Sequence, residues 1–355
     1  MMWLAWRQFR VQAAVAAGAL AILAVVLACT GPHLVHLYDT TVATCAAHGD
    51  CSTAGSNFLT NDHLLAVLLN VLVVVVPALI GLFFGAPLFA REFETRTHRL
   101  AWTQSVTRTR WLAVKFGLVG VASMVVAGLF SLMVTWWSSP FDRANMSVFS
   151  FFDQRDIVPI GYAAFAFAFG AGAGVLIRRT LPTMVVTLVA FVAVRLSFLH
   201  WIRPSLVAPR LADVALNPTS TGFGSFNGGP FTLQANPPNI SNAWIESVQI
   251  VDRAGQALTP QFVTTACPKL GRLLPGGPGG PVSPSGPATR VHATAGVQQT
   301  LQDCVAKVGT TYHELVTYQP SSHYWTMQWY ELACFLGASV VLGALSLRLV
   351  RRGRS

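Results

Sequence analysis

The sequence predicts an all-α polytopic membrane protein: six transmembrane helices, an N-terminal interfacial helix, and a large, partly β extracytoplasmic insertion between helices 5 and 6. Three observations predict it. The 355 residues are 53% hydrophobic and 11% charged, with a mean hydropathy of +0.51, whereas a soluble domain carries about 25% charged residues. Apolar runs of the length a bilayer core demands of a helix, about 20 residues, recur six times. Lys and Arg crowd onto one side of those runs.

In chain order, residues 1–12 interleave Trp3, Leu4, Trp6 and Phe9 with Arg7, Gln8 and Arg10. This is the pattern of a helix lying in the membrane interface with its rings at headgroup depth. The spans fall near residues 11–29, 64–90, 111–137, 157–177, 183–201 and 329–347. Pro77, Pro87 and Pro182 lie inside or at the ends of these runs, which membrane helices accept where neighbours satisfy the freed backbone groups. The first run ends in Val26-Leu27-Ala28-Cys29, faintly like a lipoprotein cleavage site. It is longer than a signal-peptide core, and removing it would leave five spans and misplace the charges, so it reads as an uncleaved helix. The expected organisation is transmembrane helices 1–5 over residues 11–201, an extracytoplasmic domain over 202–325, helix 6 over 326–348 and a tail over 349–355.

Charge sets the expected orientation. With both termini in the cytoplasm, fourteen of the 24 Lys/Arg fall on the cytoplasmic side against only Glu92 and Glu94, giving +12 there and −2 elsewhere, which restores the overall +10. Residues 30–63 contain no Lys or Arg, while the link after the second span carries five, with Lys115 a sixth just beyond it. Short-loop Lys/Arg counts decide topology, and attraction to anionic lipid heads accounts for the excess. A nucleic-acid partner is therefore not expected.

Cys45 and Cys51 lie in the first outer loop, and Cys267 and Cys304 in the large outer segment; Cys29 and Cys334 lie in or beside membrane helices. The outer four read as two disulfides on an oxidising side. Cys45, His48, Asp50 and Cys51 lack a standard zinc spacing. His33-x-x-His36-x-x-Asp39 has helical spacing but reads as solvated loop residues, so no metal is expected. Ala166, Gly170 and Gly174 recur every four residues in the fourth span, a small-residue stripe that lets helices approach closely. Packing within one protomer is the default reading, and packing between two protomers is the alternative. Arg195, near the outer end of the fifth span, is a functional position by default. With His200 and Arg203 just beyond it, the reading taken is that it snorkels to the outer surface; a place on the substrate path is the alternative. In the outer segment, residues 244–251 alternate as a strand, 252–255 supply a turn, and 261–264 return as a second strand. Residues 274–287 are rich in Gly and Pro and read as a mobile loop.

Several chemistries are missing. None of Lys115, Lys269 and Lys307 follows a glycine, so no phosphate-cradling loop is present. There is no His-Glu-x-x-His and no nucleophile-elbow spacing, and no acid, base and nucleophile cluster at a membrane face.

The largest polar cytoplasmic stretch, residues 91–110, begins Arg91-Glu92-Phe93-Glu94-Thr95-Arg96-Thr97 and continues through Leu100-Ala101-Trp102 to Arg108. This stretch, together with the interfacial helix and six spans, resembles permease subunits of bacterial, actinobacterial-like ATP-binding-cassette exporters of the type-2 class. Arg96 stands where many members carry glycine before the threonine. The resemblance implies a non-enzymatic transport subunit in the plasma membrane, paired with a second, identical permease and with two copies of a separate ATPase. That partner would hold ATP-Mg, and no cofactor would bind this chain. It implies that the link docks into the ATPase through Glu92, Glu94, Arg96 and Arg99 as polar contacts and Phe93, Leu100 and Trp102 as apolar anchors. The exported substrate would be hydrophobic or amphipathic. Two other readings stand beside it: a membrane sensor or immunity protein whose outer domain binds a ligand, and a membrane enzyme acting on lipid or cell-wall substrates.

Overall fold

The computed structural model describes residues 2–44, 63–95, 108–143, 147–216, 221–224, 232–235, 240, 242–269 and 295–351. Cys45, Cys51, Arg96, Arg99, Leu100, Trp102 and the Gly/Pro-rich stretch 274–287 lie outside the described residues. The chain divides into two compact units: residues 1–207 with 322–355, and residues 208–321.

The first unit is a helical bundle. Its helices are α1 (Met2–Leu37), α2 (His63–Ile80), α3 (Ala86–Glu94), α4 (Arg108–Arg143), α5 (Val158–Ile177), α6 (Thr180–Ser197) and α9 (Tyr324–Arg351). A π-turn, Gly81–Gly85, joins α2 to α3, and another, Phe198–Ile202, extends α6. Among the described residues six helical stretches are long and apolar enough to cross a membrane: Phe9–Thr40, Val67–Glu94, Arg110–Asp142, Val158–Ile177, Thr180–Ser205 and Ser321–Val350. Each overlaps one predicted run, and all but Val158–Ile177 extend past it at one end or both.

The first element departs from expectation. α1 continues unbroken from Met2 to Leu37, so residues 2–12 are continuous with the first span and not a separate helix. Phe9 packs edge-on against Phe84, with ring centroids 5.1 Å apart, and the Gln12 amide donates to the Phe83 carbonyl at 2.8 Å. Tertiary contact with the π-turn holds this stretch in line with the span.

The bundle is apolar outside and partly polar within, as a bilayer solvent requires. Leu181 and Val340 are more than 70% exposed, while Ser123, Ser131, Thr183 and Thr187 are buried. Most of these hydroxyls donate to a carbonyl one helical turn back, so they enter the interior already satisfied. α5 is the hub: nearly all its residues are buried, and it touches α2, α3, α4, α6 and α9.

Its small residues make that possible. A Cβ on Gly170 would fall 2.6 Å from the Gly81 carbonyl oxygen, and one on Gly174 2.9 Å from that of Ala86. From the other side, a Cβ on Gly81 would fall 2.9 Å from the Ala166 oxygen and one on Gly85 2.6 Å from that of Phe167. The stripe Ala166–Gly170–Gly174 thus lies backbone to backbone against the π-turn and α3 of its own chain.

The second unit carries β1 (Arg210–Val214), β2 (Thr221–Gly224), β3 (Thr232–Ala235), β4 (Trp244–Asp252) and β5 (Tyr312–Gln319), with α7 (Pro260–Ala266) and α8 (Ala295–Val308). β1, β5 and β4 form a small antiparallel sheet in that order, and β2 pairs with β3. β4 ends in the expected turn, where Asp252 Oδ1 accepts from the amides of Ala254 and Gln256 and Gly255 takes a φ of +78°.

The strand expected at 261–264 is instead the helix α7. Thr259 accepts from the Phe262 amide and Pro260 occupies the first turn, start signals that outweigh the strand propensity of Phe262 and Val263. The partner of β4 comes from β5, far along the chain. Cys267 and Cys304 are bonded, with Cα atoms 5.6 Å apart, and lie in a core with Leu233, Ile250, Val263, Val305 and Val308.

Candidate functional site

The most concentrated chemistry in the bundle is a buried ionic knot at the end where α5 and α9 begin and α6 finishes. Arg195 of α6 is 4% exposed and does not turn outward to solvent, so snorkelling is overturned. Its guanidinium reaches Asp153 at 2.7 Å and Glu331 at 3.2 Å, and lies 4.0 Å above the Tyr162 ring. Arg203 donates to both oxygens of Glu331, at 3.1 and 2.9 Å, and pairs with Asp153. The Tyr162 hydroxyl stands between the carboxylates, 3.1 Å from Asp153 and hydrogen-bonded to Glu331. Two guanidinium groups therefore face two carboxylates around one phenol, without net charge.

The local fold explains why two arginines eight residues apart converge. In an undistorted helix, residues at this spacing point about 80° apart. The π-turn Phe198–Ile202, closed by the Arg203 amide to the Phe198 carbonyl, absorbs one residue and cuts the difference to about 20°. Glu331 comes from α9, where Tyr324, Gln328 and Glu331 share one face at i, i+4 and i+7. Asp153 comes from the short segment between α4 and α5.

A second knot holds that segment. Arg155 Nη1 donates to both oxygens of Asp142 at 2.9 Å, and its Nε to the Tyr324 hydroxyl at 3.0 Å. Tyr324 also bonds Asp156. The Gln328 amide nitrogen donates to Tyr324 and to the Phe152 carbonyl, while its oxygen accepts from the Val158 amide that opens α5. Asp156 sits at a φ of 62°, a left-handed conformation that Asp tolerates. It is held there by the Ser131 hydroxyl on its carbonyl and the Thr135 hydroxyl on its amide. Burial pushes the Asp153 carboxyl up, but Arg203 and Arg195 outweigh it and bring it down to about 2. Burial works against the charge of Arg155, yet Tyr324 and Asp142 leave its pKa raised.

The other polar centre lies at the opposite end, where α3 leads into the predicted link. Glu92 pairs with Lys115 of α4, whose ammonium also lies 5.1 Å from the Trp111 ring centroid. Phe93 is buried in the bundle core with Phe89 and Trp111; it faces inward and is no exposed anchor in this arrangement. Glu94 Oε2 accepts from the Thr180 amide at 3.0 Å and its hydroxyl at 2.7 Å. Thr180 opens α6, whose own N-cap residue Arg179 makes no side-chain cap, so a carboxylate from α3 satisfies and electrostatically complements that helix start. All three described residues of the expected docking set are thus engaged within the bundle.

Among the described residues no three His, Cys, Asp or Glu side chains converge as metal ligands, so His33, His36 and Asp39 do not gather into such a set. Asp153, Tyr162, Arg203 and Glu331 were not singled out from sequence. The signal available was Glu331, an acid inside the last apolar run, opposite in sign to Arg195 inside the fifth; buried charges of opposite sign in different spans are expected to pair.

The six apolar helices among the described residues, one of them a small-residue hub for most of the rest, with polar groups satisfied inside and apolar side chains outside, define a multi-pass membrane protein. A family model described as ABC-2 membrane transporter related matches residues 17–203, more than half of the chain, and the chain belongs to that family. No curated protein and no solved structure matches it.

Proposed function

We propose that the chain is the membrane permease subunit of an ATP-driven exporter in a bacterial plasma membrane, moving a hydrophobic or amphipathic substrate outward. The observation that carries this reading is the family match, because the matched residues include the hub α5 and most of the helices packed on it. Membrane subunits of this type generally work with a separate ATPase. Here two ATPase copies bind ATP-Mg and serve two identical permeases, with both termini cytoplasmic and residues 202–325 outside. The chain itself catalyses no reaction.

In this reading residues 91–110 couple the two proteins. Glu92, Phe93 and Glu94 fasten the start of the link to α4, the bundle core and α6, and Arg96, Arg99, Leu100 and Trp102 meet the ATPase. A short helix with aromatic and charged anchors suits a groove on a partner. Pull on the link would pass through Glu94 to the first turn of α6, the helix whose far end carries Arg195 and Arg203. Arg195 lies on the substrate path once the knot around it opens.

The test is purification of the tagged protein from its native host in mild detergent, with mass spectrometry and an ATPase assay of whatever accompanies it. A stoichiometric P-loop ATPase whose stimulation is lost in Trp102→Ala, with insertion unchanged, is the expected result. Glu94→Ala is the less discriminating variant, since it also removes the cap on α6. Absence of any ATPase partner would overturn the permease reading in favour of a sensor with a ligand-binding outer domain.

A further inference from the structure

A cleft of about 470 Å³ opens between α1, α3 and α4 at the end of the bundle where α4 begins. Its lining combines apolar side chains, among them Phe9, Phe84, Leu88 and Val119, with the polar Gln12, Arg91, Glu92 and Lys115. Lys115 and Glu92 compensate each other. Arg91 is exposed, and no carboxylate pairs with it among the described residues. Among the described residues the cleft therefore carries one cation without a carboxylate partner, beside apolar side chains.

Its depth is set by the helices. Arg91 stands three residues before the end of the span Val67–Glu94, and Lys115 five residues after the start of Arg110–Asp142. At 1.5 Å per residue these positions lie about 5 and 8 Å inside the ends of their helical stretches, close to where the apolar runs give way to the polar link. A ligand in the cleft meets a cation and hydrogen-bond donors together with aromatic and aliphatic carbon. The guanidinium matches a phosphate oxygen pair.

We infer that this cleft is a binding site for one anionic phospholipid of the adjoining leaflet. Arg91 holds its phosphate, and the first part of an acyl chain lies along Phe84, Leu88 and Val119. The inference needs only the membrane-spanning bundle and is independent of any exported substrate. A bound lipid there would touch α3 one residue before Glu92 and so bear on the start of the link.

The test uses the full-length protein, reconstituted in mixed phosphatidylglycerol and phosphatidylcholine, extracted in mild detergent and read by native mass spectrometry for retained lipid. Wild type is expected to keep one phosphatidylglycerol in preference to phosphatidylcholine. Arg91→Gln is expected to lower that preference about five-fold, the effect of one basic residue at a lipid surface, and Arg91→Lys to restore part of it. Leu88→Trp, which keeps the charge and narrows the cleft, is expected to lower retention of both lipids. Equal retention of the two lipids by wild type, or an unchanged preference in Arg91→Gln, would overturn the site. Displacement of the lipid by millimolar inorganic phosphate would assign the cation to a free anion and overturn the lipid.

Discussion

Glu331 is fully buried, and both arginines of the knot bond to it. Neutralising it leaves Arg195 and Arg203 with Asp153 alone. Breaking a buried pair by removing one partner costs about 3–5 kcal/mol, so Glu331→Gln is expected to melt well below wild type in detergent. Equal melting temperatures would show that the knot does not hold the helix ends together. Asp153 adds a pH dependence. Its folded-state pKa lies near 2, below the ordinary 3.8, so its contribution is complete above about pH 4 and is lost as pH falls toward 2. Thermal melts across that range should show a decline that Asp153→Asn lacks. Asp153, the Arg195–Arg203 pair and Glu331 come from three distant parts of the sequence, and of the four only Arg195 was singled out as a site position. Its partners depend on the π-turn and on where α9 docks, neither of which a charge pattern reveals.

At the scale of elements, the π-turn Gly81–Gly85 and the stripe on α5 make one close contact, and its stringency is testable. Gly170→Ala would place a methyl 2.6 Å from a backbone oxygen. Overpacking of this kind costs about 1–3 kcal/mol, so yield and melting temperature should fall. Gly117→Ala, in α4 with nothing within 4 Å of the added methyl, should be neutral or gain up to about 1 kcal/mol from helix propensity. In the second unit the Cys267–Cys304 bridge spans 37 residues. A loop of that length contributes about 4 kcal/mol in the chain-entropy estimate. Cys267→Ser with Cys304→Ser should therefore make residues 208–321 more susceptible to limited proteolysis, with the spans unaffected. The small-residue spacing and the cysteine pair were legible from the sequence. The helix at Pro260–Ala266 was misread because two strand-favouring residues follow its cap.

Across the whole molecule, the sequence by itself determined the spans and, through basic-residue asymmetry, the expected orientation, because both follow from one-dimensional quantities: run length against bilayer thickness and charge count per loop. It also determined which residues are able to approach closely, since small side chains permit that in any arrangement. Only the tertiary structure decided what those residues approach. It ran residues 2–12 into α1 by seating Phe9 on Phe84, turned Phe93 inward, gave Glu94 to the first turn of α6, and drew Arg195 away from the surface into a neutral cluster. The physical reason is common to all four. In an apolar surround a charge or an aromatic ring is placed by the partner available within a few ångströms, and that partner comes from a different helix, at a position no local pattern records.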